Sequence, residues 1–180
     1  ERFGRFSDIL DRHDLSVVGV DIPIGLLARG ARTCDQVVRR RLGRVRGTSV
    51  FPAPLRPMLR ARSWREACAI RFAIERKRCS RQTYGILEKI REVDAGMTPR
   101  RQARVAEVHP ELSFAVMNGD RPVIVPKRPP RGHRLRVALL SPFFPDLGAH
   151  LRRLPGAAVD DVVDAYACLW TARRIQRGDA

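Results

Sequence analysis

The spacing of apolar residues along the chain predicts alternating strands and helices. Residues 16–22 form a short run of apolar, β-branched side chains that suits a strand buried on both faces. Residues 104–108 are a second strand candidate, which ends at His109-Pro110. Helical spacing predicts further elements over residues 6–13, 33–42, 64–78, 80–90, 110–116, 133–140 and 160–177. This order favours an α/β fold.

Capping and turn residues delimit several of the predicted helices. Ser80 is placed to cap the helix that follows it. Pro110 suits the first turn of a helix, because a missing N–H costs nothing there. Asn118-Gly119-Asp120 indicates a turn, and the Pro-rich, basic residues 121–132 are expected to form a mobile loop.

Length and composition indicate one domain with a real core, since the 180 residues are 44% hydrophobic and 30% charged. The chain has no run of 18 apolar residues and no signal-peptide pattern, so we expect a cytoplasmic protein that does not enter membranes. Because Glu1 precedes a helix-like segment directly, we expect the native N-terminus to lie upstream. The cysteines fit no zinc spacing and are interpreted as reduced thiols, with a disulfide left open: Cys34, Cys68, Cys79 and Cys168.

The net charge of +16 predicts a polyanionic partner, nucleic acid first and an anionic membrane surface second. Arginine supplies 32 of the 35 basic residues. That ratio is typical of phosphate recognition, but a general preference for arginine in the source organism explains it equally well.

Acidic residues follow both predicted strands. Asp21 leaves an apolar strand, where a carboxylate is costly to bury without a cation or hydrogen-bond donors. Glu107 and His109 are two residues apart and point to one face of an extended chain, and Glu111 follows at a helix start. Such a set can bind a divalent metal or exchange protons. The alternatives are that Asp21 caps a turn, that Glu111 is a first-turn acid and that His109 is packed.

A third acidic group opens the last predicted helix, where Asp160, Asp161 and Asp164 lie within one turn of each other. Asp164 is unusual because it lies inside a largely apolar helix, whereas first-turn acids are common for dipole reasons alone. Together with Asp21 and a strand-end glutamate, these acids are typical of a site that holds one or two Mg²⁺ ions around a phosphodiester.

Arg81 and Gln82 lie at a predicted helix start, where backbone N–H groups favour an anion such as phosphate. Lys89, two turns on, lies near the same face. The alternative is that Arg81 and Gln82 bond within the protein. Residues 49–54 with Arg56 form either a rigid lip of a cleft or a packed loop.

The motifs together resemble the domain-of-unknown-function family 429, described as predicted ribonuclease H-like nucleases. The resemblance rests on segments in family order, of which the Glu-Val-His-Pro-Glu block is the most specific: residues 19–26, 49–54, 80–94, 107–114 and 160–165. It implies a ribonuclease H-like mixed sheet flanked by helices, within a single domain over residues 1–180 that has a helical insertion at about residues 48–100.

The resemblance also implies which acids matter. Asp21, Glu107 or Glu111, and Asp161 or Asp164 match the acidic positions of the family. Family members open with a strand bearing a Gly-Val-Asp motif, which supplies a further acid. No such segment precedes Glu1, so we expect this chain to be an N-terminally incomplete form of the fold.

The leading hypothesis is a nuclease that depends on Mg²⁺ or Mn²⁺. It assigns Asp21, Glu107, Glu111 and Asp164 to catalysis; Asp21, Glu111, Asp161 and Asp164 to the metal; and Arg81, Gln82, Lys89 and His109 to substrate. One alternative is a nucleic-acid-binding protein without catalysis. Another is a hydrolase of a small phosphorylated substrate, although the chain has no Gly-rich phosphate loop and no G-x-S-x-G nucleophile elbow.

Overall fold

The fold is α/β and mostly helical, with a small parallel sheet. The computed structural model describes residues 3–127, 129–153 and 156–180. Within these residues the sheet has two strands, β1 (Val18–Val20) and β2 (Val105–Glu107). The α/β class predicted from the sequence is therefore confirmed, while the sheet is a parallel pair rather than a larger mixed one.

Both strands form where the apolar runs predicted them, and they pair in parallel with Val18 opposite Val105 and Val20 opposite Glu107. Two hydrogen bonds of 2.8 Å extend the ladder beyond the strands, from the Val18 N–H to the Arg104 carbonyl and from the Val108 N–H to the Val20 carbonyl. Because parallel strands end on the same side, the residues after β1 and β2 meet at one edge of the sheet.

Ten α-helices surround the strands in the described part of the chain: α1 (Phe6–Leu10), α2 (Thr33–Arg46), α3 (Trp64–Glu75), α4 (Arg81–Gly85), α5 (Leu87–Gly96), α6 (Pro99–Gln102), α7 (Pro110–Met117), α8 (Pro130–Leu140), α9 (Leu147–Arg153) and α10 (Val159–Arg177). Short 3₁₀ turns occupy Gly47–Ser49 and Arg56–Arg60. No helix among the described residues is long and apolar enough to cross a membrane.

The segment between α2 and β2 is helical and has its own apolar cluster, which includes Leu55, Met58, Ala67 and Leu87. Two predicted helices end earlier than expected here. Helix α3 stops at Glu75 because Arg76 adopts a left-handed conformation with φ 57°. The Ser80 hydroxyl caps α4 by accepting a 3.0 Å hydrogen bond from the Thr83 N–H, but the helix breaks at Ile86 before α5 begins.

The larger apolar cluster lies among α7, α8, α9 and α10, and contains the buried side chains Phe114, Leu140, Phe144, Val163 and Trp170. Helix α8 begins at Pro130, so the end of the segment predicted as a mobile loop is helical. The turn at Asn118-Gly119-Asp120 is confirmed, with Gly119 and Asp120 both at positive φ. All four cysteines are free thiols.

Candidate active site

A cleft of about 370 Å³ lies at the edge of the sheet where both strands end. This is where a parallel sheet is expected to place a ligand. The end of β1, the loop at residues 49–51, the start of α7, residues 126–127 and α10 contribute to its walls. Its polar and charged lining residues are Asp21, Arg32, Asp35, Arg46, Ser49, Gln82, Glu107, His109, Glu111, Lys127 and Asp164.

Asp21 and Asp164 lie near each other because α10 packs closely against β1. A Cβ atom at Gly19 would lie only 2.8 Å from the carbonyl oxygen of Cys168, so glycine permits this approach. Asp21 follows Gly19 by two residues and points to the same side of an extended chain. Asp164 precedes Cys168 by four residues and lies on the same helical face. The contact between Gly19 and Cys168 therefore brings the two aspartates to one end of the cleft.

The electrostatic environment of Asp21 is unusual for an aspartate. Asp21 is exposed on the wall of the cleft, yet desolvation by the surrounding protein is the main cause that raises its pKa from 3.8 to about 7. The negative charge of Asp164 is the next cause. Among the described residues, none donates a hydrogen bond to Asp21. Its carboxylate is therefore left without a direct partner.

Lys127 connects the two aspartates electrostatically. Its ammonium donates a 2.7 Å hydrogen bond to Oδ2 of Asp164. Burial opposes the charge on Lys127, but the hydrogen bond to Asp164 and the charges of Asp160 and Asp21 outweigh it and raise its pKa. The pKa of Asp164 is also raised, mainly by burial and against the effect of Lys127. Lys127 is thus a cation close to both carboxylates.

Glu107 is neutralised by an arginine. Its two oxygens accept hydrogen bonds of 2.6 and 2.7 Å from Arg32, and Oε2 also accepts one of 2.9 Å from the Ile24 N–H. Arg32 bonds Asp35 as well. The carboxylate predicted to be catalytic therefore joins the segment after β1 to the end of β2, and little of its bonding capacity is left.

Glu111 is more strongly engaged. Its side chain is buried, and Arg136, which is only 1% exposed, donates three hydrogen bonds of 2.8 to 3.1 Å to it. Arg46 lies 2.9 Å from the same carboxylate. Two guanidinium groups thus compete with any cation for Glu111, which was predicted as a metal ligand.

His109 lies between these groups and is half-buried. Burial lowers its pKa, in opposition to a hydrogen bond with the backbone of Ser49, so the neutral imidazole predominates at neutral pH. No described residue hydrogen-bonds its buried Nδ1 atom. His109 is therefore a neutral, packed part of the cleft wall, and its unbonded nitrogen is not open to the cleft.

The predicted phosphate-binding residues do not lie together. Gln82 lines the cleft. Arg81 instead stacks on Trp64, with its guanidinium carbon 3.8 Å from the ring centroid. Lys89 is exposed on α5 and does not line the cleft, and neither does Asp161, which is exposed but close enough for its charge to raise the pKa of Asp21.

The acidic side chains of the cleft fit a divalent cation only if water or substrate supplies most of its ligands. No group of three or more His, Cys, Asp or Glu side chains among the described residues is arranged to hold a metal ion. Among the described residues, nevertheless, no hydrogen bond reaches Asp21 or the Oδ1 atom of Asp164, whereas both oxygens of Glu107 and of Glu111 accept hydrogen bonds. Mg²⁺ is often bound by one or two carboxylates, with water and substrate phosphate completing the shell. The two aspartates suit that arrangement.

The basic side chains of this site were not among the residues predicted from the sequence. Lys127 had one usable signal, because it is one of only three lysines in the chain. Arg32, Arg46 and Arg136 had none, since nothing in the sequence distinguishes them from the other arginines.

A profile of the family described as "Protein of unknown function (DUF429)" matches residues 1–180. No curated protein and no solved structure gives a significant match to the chain. The match covers the motifs around both strand ends and α10, which form the cleft. The chain therefore belongs to the DUF429 family.

Proposed function

We propose that this protein is a nuclease that uses Mg²⁺ or Mn²⁺ to hydrolyse phosphodiester bonds in nucleic acid, on a ribonuclease H-like fold. The observation that carries the proposal is the pair formed by Asp21 and Asp164 at the carboxyl end of a parallel strand, in a molecule of net charge +16. Two acids face a cleft, while the rest of the molecule attracts polyanions.

The raised pKa of Asp21 supports a role in cation binding. Two neighbouring carboxylates resist ionisation together, and a divalent cation between them would remove that repulsion. When bound, such a cation would activate water and stabilise charge on the phosphate. Asp21 and Asp164 are the residues that would hold it.

The other residues of the cleft have separate tasks in this proposal. Lys127 would contact a phosphate oxygen, because its ammonium is part-exposed beside Asp164. Gln82 would donate a hydrogen bond to the substrate from the opposite lip. His109, held neutral by burial, would form the wall of the cleft beside the substrate. Glu107 and Glu111 would hold Arg32 and Arg46 in the cleft walls.

The test is a cleavage assay on labelled single-stranded and duplex DNA and RNA, with Mg²⁺, Mn²⁺ or EDTA. We expect cleavage that requires metal, and a loss of roughly 100-fold or more for Asp21→Asn and Asp164→Asn, the scale seen when a group that stabilises transition-state charge is removed. Asp161→Asn is the matched control, because Asp161 is on the same helix but outside the cleft; its rate should stay within about 3-fold of the wild type.

Two outcomes would overturn the proposal. Failure to cleave any substrate with either metal, combined with nucleic-acid binding that falls with salt but is indifferent to Asp21→Asn, would favour a binding protein without catalysis. The cleft of about 370 Å³ also suits a small ligand. Phosphate release from a small phosphorylated compound, with no cleavage of nucleic acid, would favour a hydrolase of such substrates.

A further inference from the structure

A second and more open groove of about 830 Å³ lies beside the acidic cleft. Val50, Phe51 and Gln82 line both spaces, so the two are separated by one loop and one side chain of α4. Of the described residues, three arginines and no acid line the groove, whereas the cleft contains acids. A polyanion that lies in the groove would therefore reach the mouth of the cleft that contains the aspartates.

Arg39, the first of the three arginines, is engaged within the protein. Its Nε atom donates a 2.8 Å hydrogen bond to the Val50 carbonyl, which fixes the loop between groove and cleft. Arg40 and Arg44 are exposed, and neither side chain makes a hydrogen bond or an ion pair with the described residues. Two guanidinium groups are thus left to contact phosphates.

The backbone at Gly43 shapes the groove. Gly43 has φ 68° and ψ −177° inside α2, so the helix is kinked between Arg40 and Arg44. A side chain at this position would be strained, because L-residues rarely adopt such a conformation. The kink opens the end of α2 and places Arg44 on the wall of the groove.

Phe51 is the aromatic residue at the junction. Its side chain is half-exposed and lines both the groove and the cleft. An aromatic ring beside a basic surface can stack on an unpaired base. The bases of a duplex are stacked on one another and are not available to such a ring. The junction therefore favours single strands over duplexes.

We propose that this groove binds a single-stranded segment of nucleic acid, with Arg40 and Arg44 on its phosphates and Phe51 stacked on a base, and that it delivers the backbone to Asp21 and Asp164. The delivery of the backbone to Asp21 and Asp164 rests on the proposed nuclease function. Binding in the groove does not require catalysis.

The test is fluorescence anisotropy in EDTA with a labelled single-stranded oligonucleotide of roughly 15 nucleotides, about one single-strand site. Arg40→Gln/Arg44→Gln should weaken binding about 10-fold or more and reduce the slope of log affinity against log salt by about 1.4, or about 0.7 for each lost phosphate contact. Arg100→Gln/Arg177→Gln is the matched control, because both residues are exposed on helices and line neither space; it should change affinity less than about 2-fold.

Phe51→Leu should weaken single-strand binding about 5-fold or more and leave duplex binding unchanged. Circular dichroism and urea unfolding confirm that each variant is folded. Equal weakening by the two arginine pairs, or tighter binding of a duplex that is indifferent to Phe51→Leu, would overturn the inference.

The two proposals fail separately. If binding depends on the groove residues but no metal-dependent cleavage is found, the groove proposal stands and the nuclease proposal is wrong. If cleavage depends on Asp21 but the affinity for single-stranded oligonucleotide does not depend on Arg40 and Arg44, the nuclease proposal stands and the groove proposal is wrong.

Discussion

Carboxylates within one cleft are in different electrostatic states because their cationic neighbours differ. Glu107 and Glu111 are held by arginines at hydrogen-bond distance. Asp164 has Lys127, and Asp21 has no direct partner among the described residues. A free cation therefore competes with a guanidinium at the glutamates but meets no such competition at Asp21.

At the scale of this residue, we expect Asp21→Asn to stabilise the metal-free protein above neutral pH. The pKa of Asp21 is about 7 in the folded chain, against 3.8 for an unperturbed aspartate, so the folded state binds more protons over that range. The stabilising contribution is fully present below about pH 4 and is lost as pH rises through 7.

Asparagine does not ionise, so the Asp21→Asn variant does not lose this stability as the pH rises. After allowance for the exposed part of the side chain, the gain in free energy of unfolding is about 1–2 kcal/mol at about pH 8 and much smaller near pH 4.5. Urea unfolding in EDTA at the two pH values measures it. A variant that is less stable than the wild type at the higher pH would contradict the assigned environment.

The buried contact between Arg136 and Glu111 leads to a second prediction. Arg136→Met leaves Glu111 with Arg46 alone and should lower the free energy of unfolding by about 3 kcal/mol, since breaking a buried ion pair exposes an incompletely compensated charge. Arg134→Met is the matched control, because Arg134 is exposed on the same helix and should change stability by less than about 0.5 kcal/mol. Similar losses for the two variants would show that the pair is unimportant.

At the scale of the elements, the sequence predicted strands and helix starts better than helix ends. Both strands were found because residues 16–22 and 104–108 are apolar runs with β-branched side chains, and Ser80 and Pro110 marked helix starts through local chemistry. The end of α3 at Arg76 was missed because a left-handed arginine has no sequence signal. The break at Ile86 was missed because the apolar spacing continues across it.

The packing of α10 on β1 leads to a prediction about Gly19. Gly19→Ala places a methyl group 2.8 Å from the Cys168 carbonyl, so the helix must move away from the strand. We expect a loss of about 1–3 kcal/mol in the free energy of unfolding, as for other overpacked sites, and a fall in the pKa of Asp21 as Asp164 recedes. Urea unfolding and nuclear magnetic resonance titration of the aspartate carboxyls measure the two effects.

Gly85→Ala is the control for this variant, because a Cβ there meets nothing within 4 Å. Its stability should stay within about 0.5 kcal/mol of the wild type. If Gly19→Ala were equally neutral, the close approach of α10 to β1 would not be what positions the aspartates.

At the scale of the whole molecule, the net charge predicted the class of partner but not which arginines would contact it. A net charge of +16 indicated a polyanionic partner, but it could not show that Arg32, Arg46 and Arg136 bind the acids of the cleft while Arg40 and Arg44 line the neighbouring groove. Those pairings are made by residues distant in sequence, and in a chain with 32 arginines they depend on the fold alone. The location of the cleft at the strand ends followed from the topology of parallel strands.

The most direct test of the central claim is a crystal structure of the protein soaked in Mn²⁺, read by anomalous scattering. The account predicts a manganese peak between the carboxylates of Asp21 and Asp164, with water completing its shell and no peak at Glu107 or Glu111. A peak on either glutamate, or no peak in the cleft at saturating Mn²⁺, would contradict the assignment of the two aspartates as the metal-binding pair.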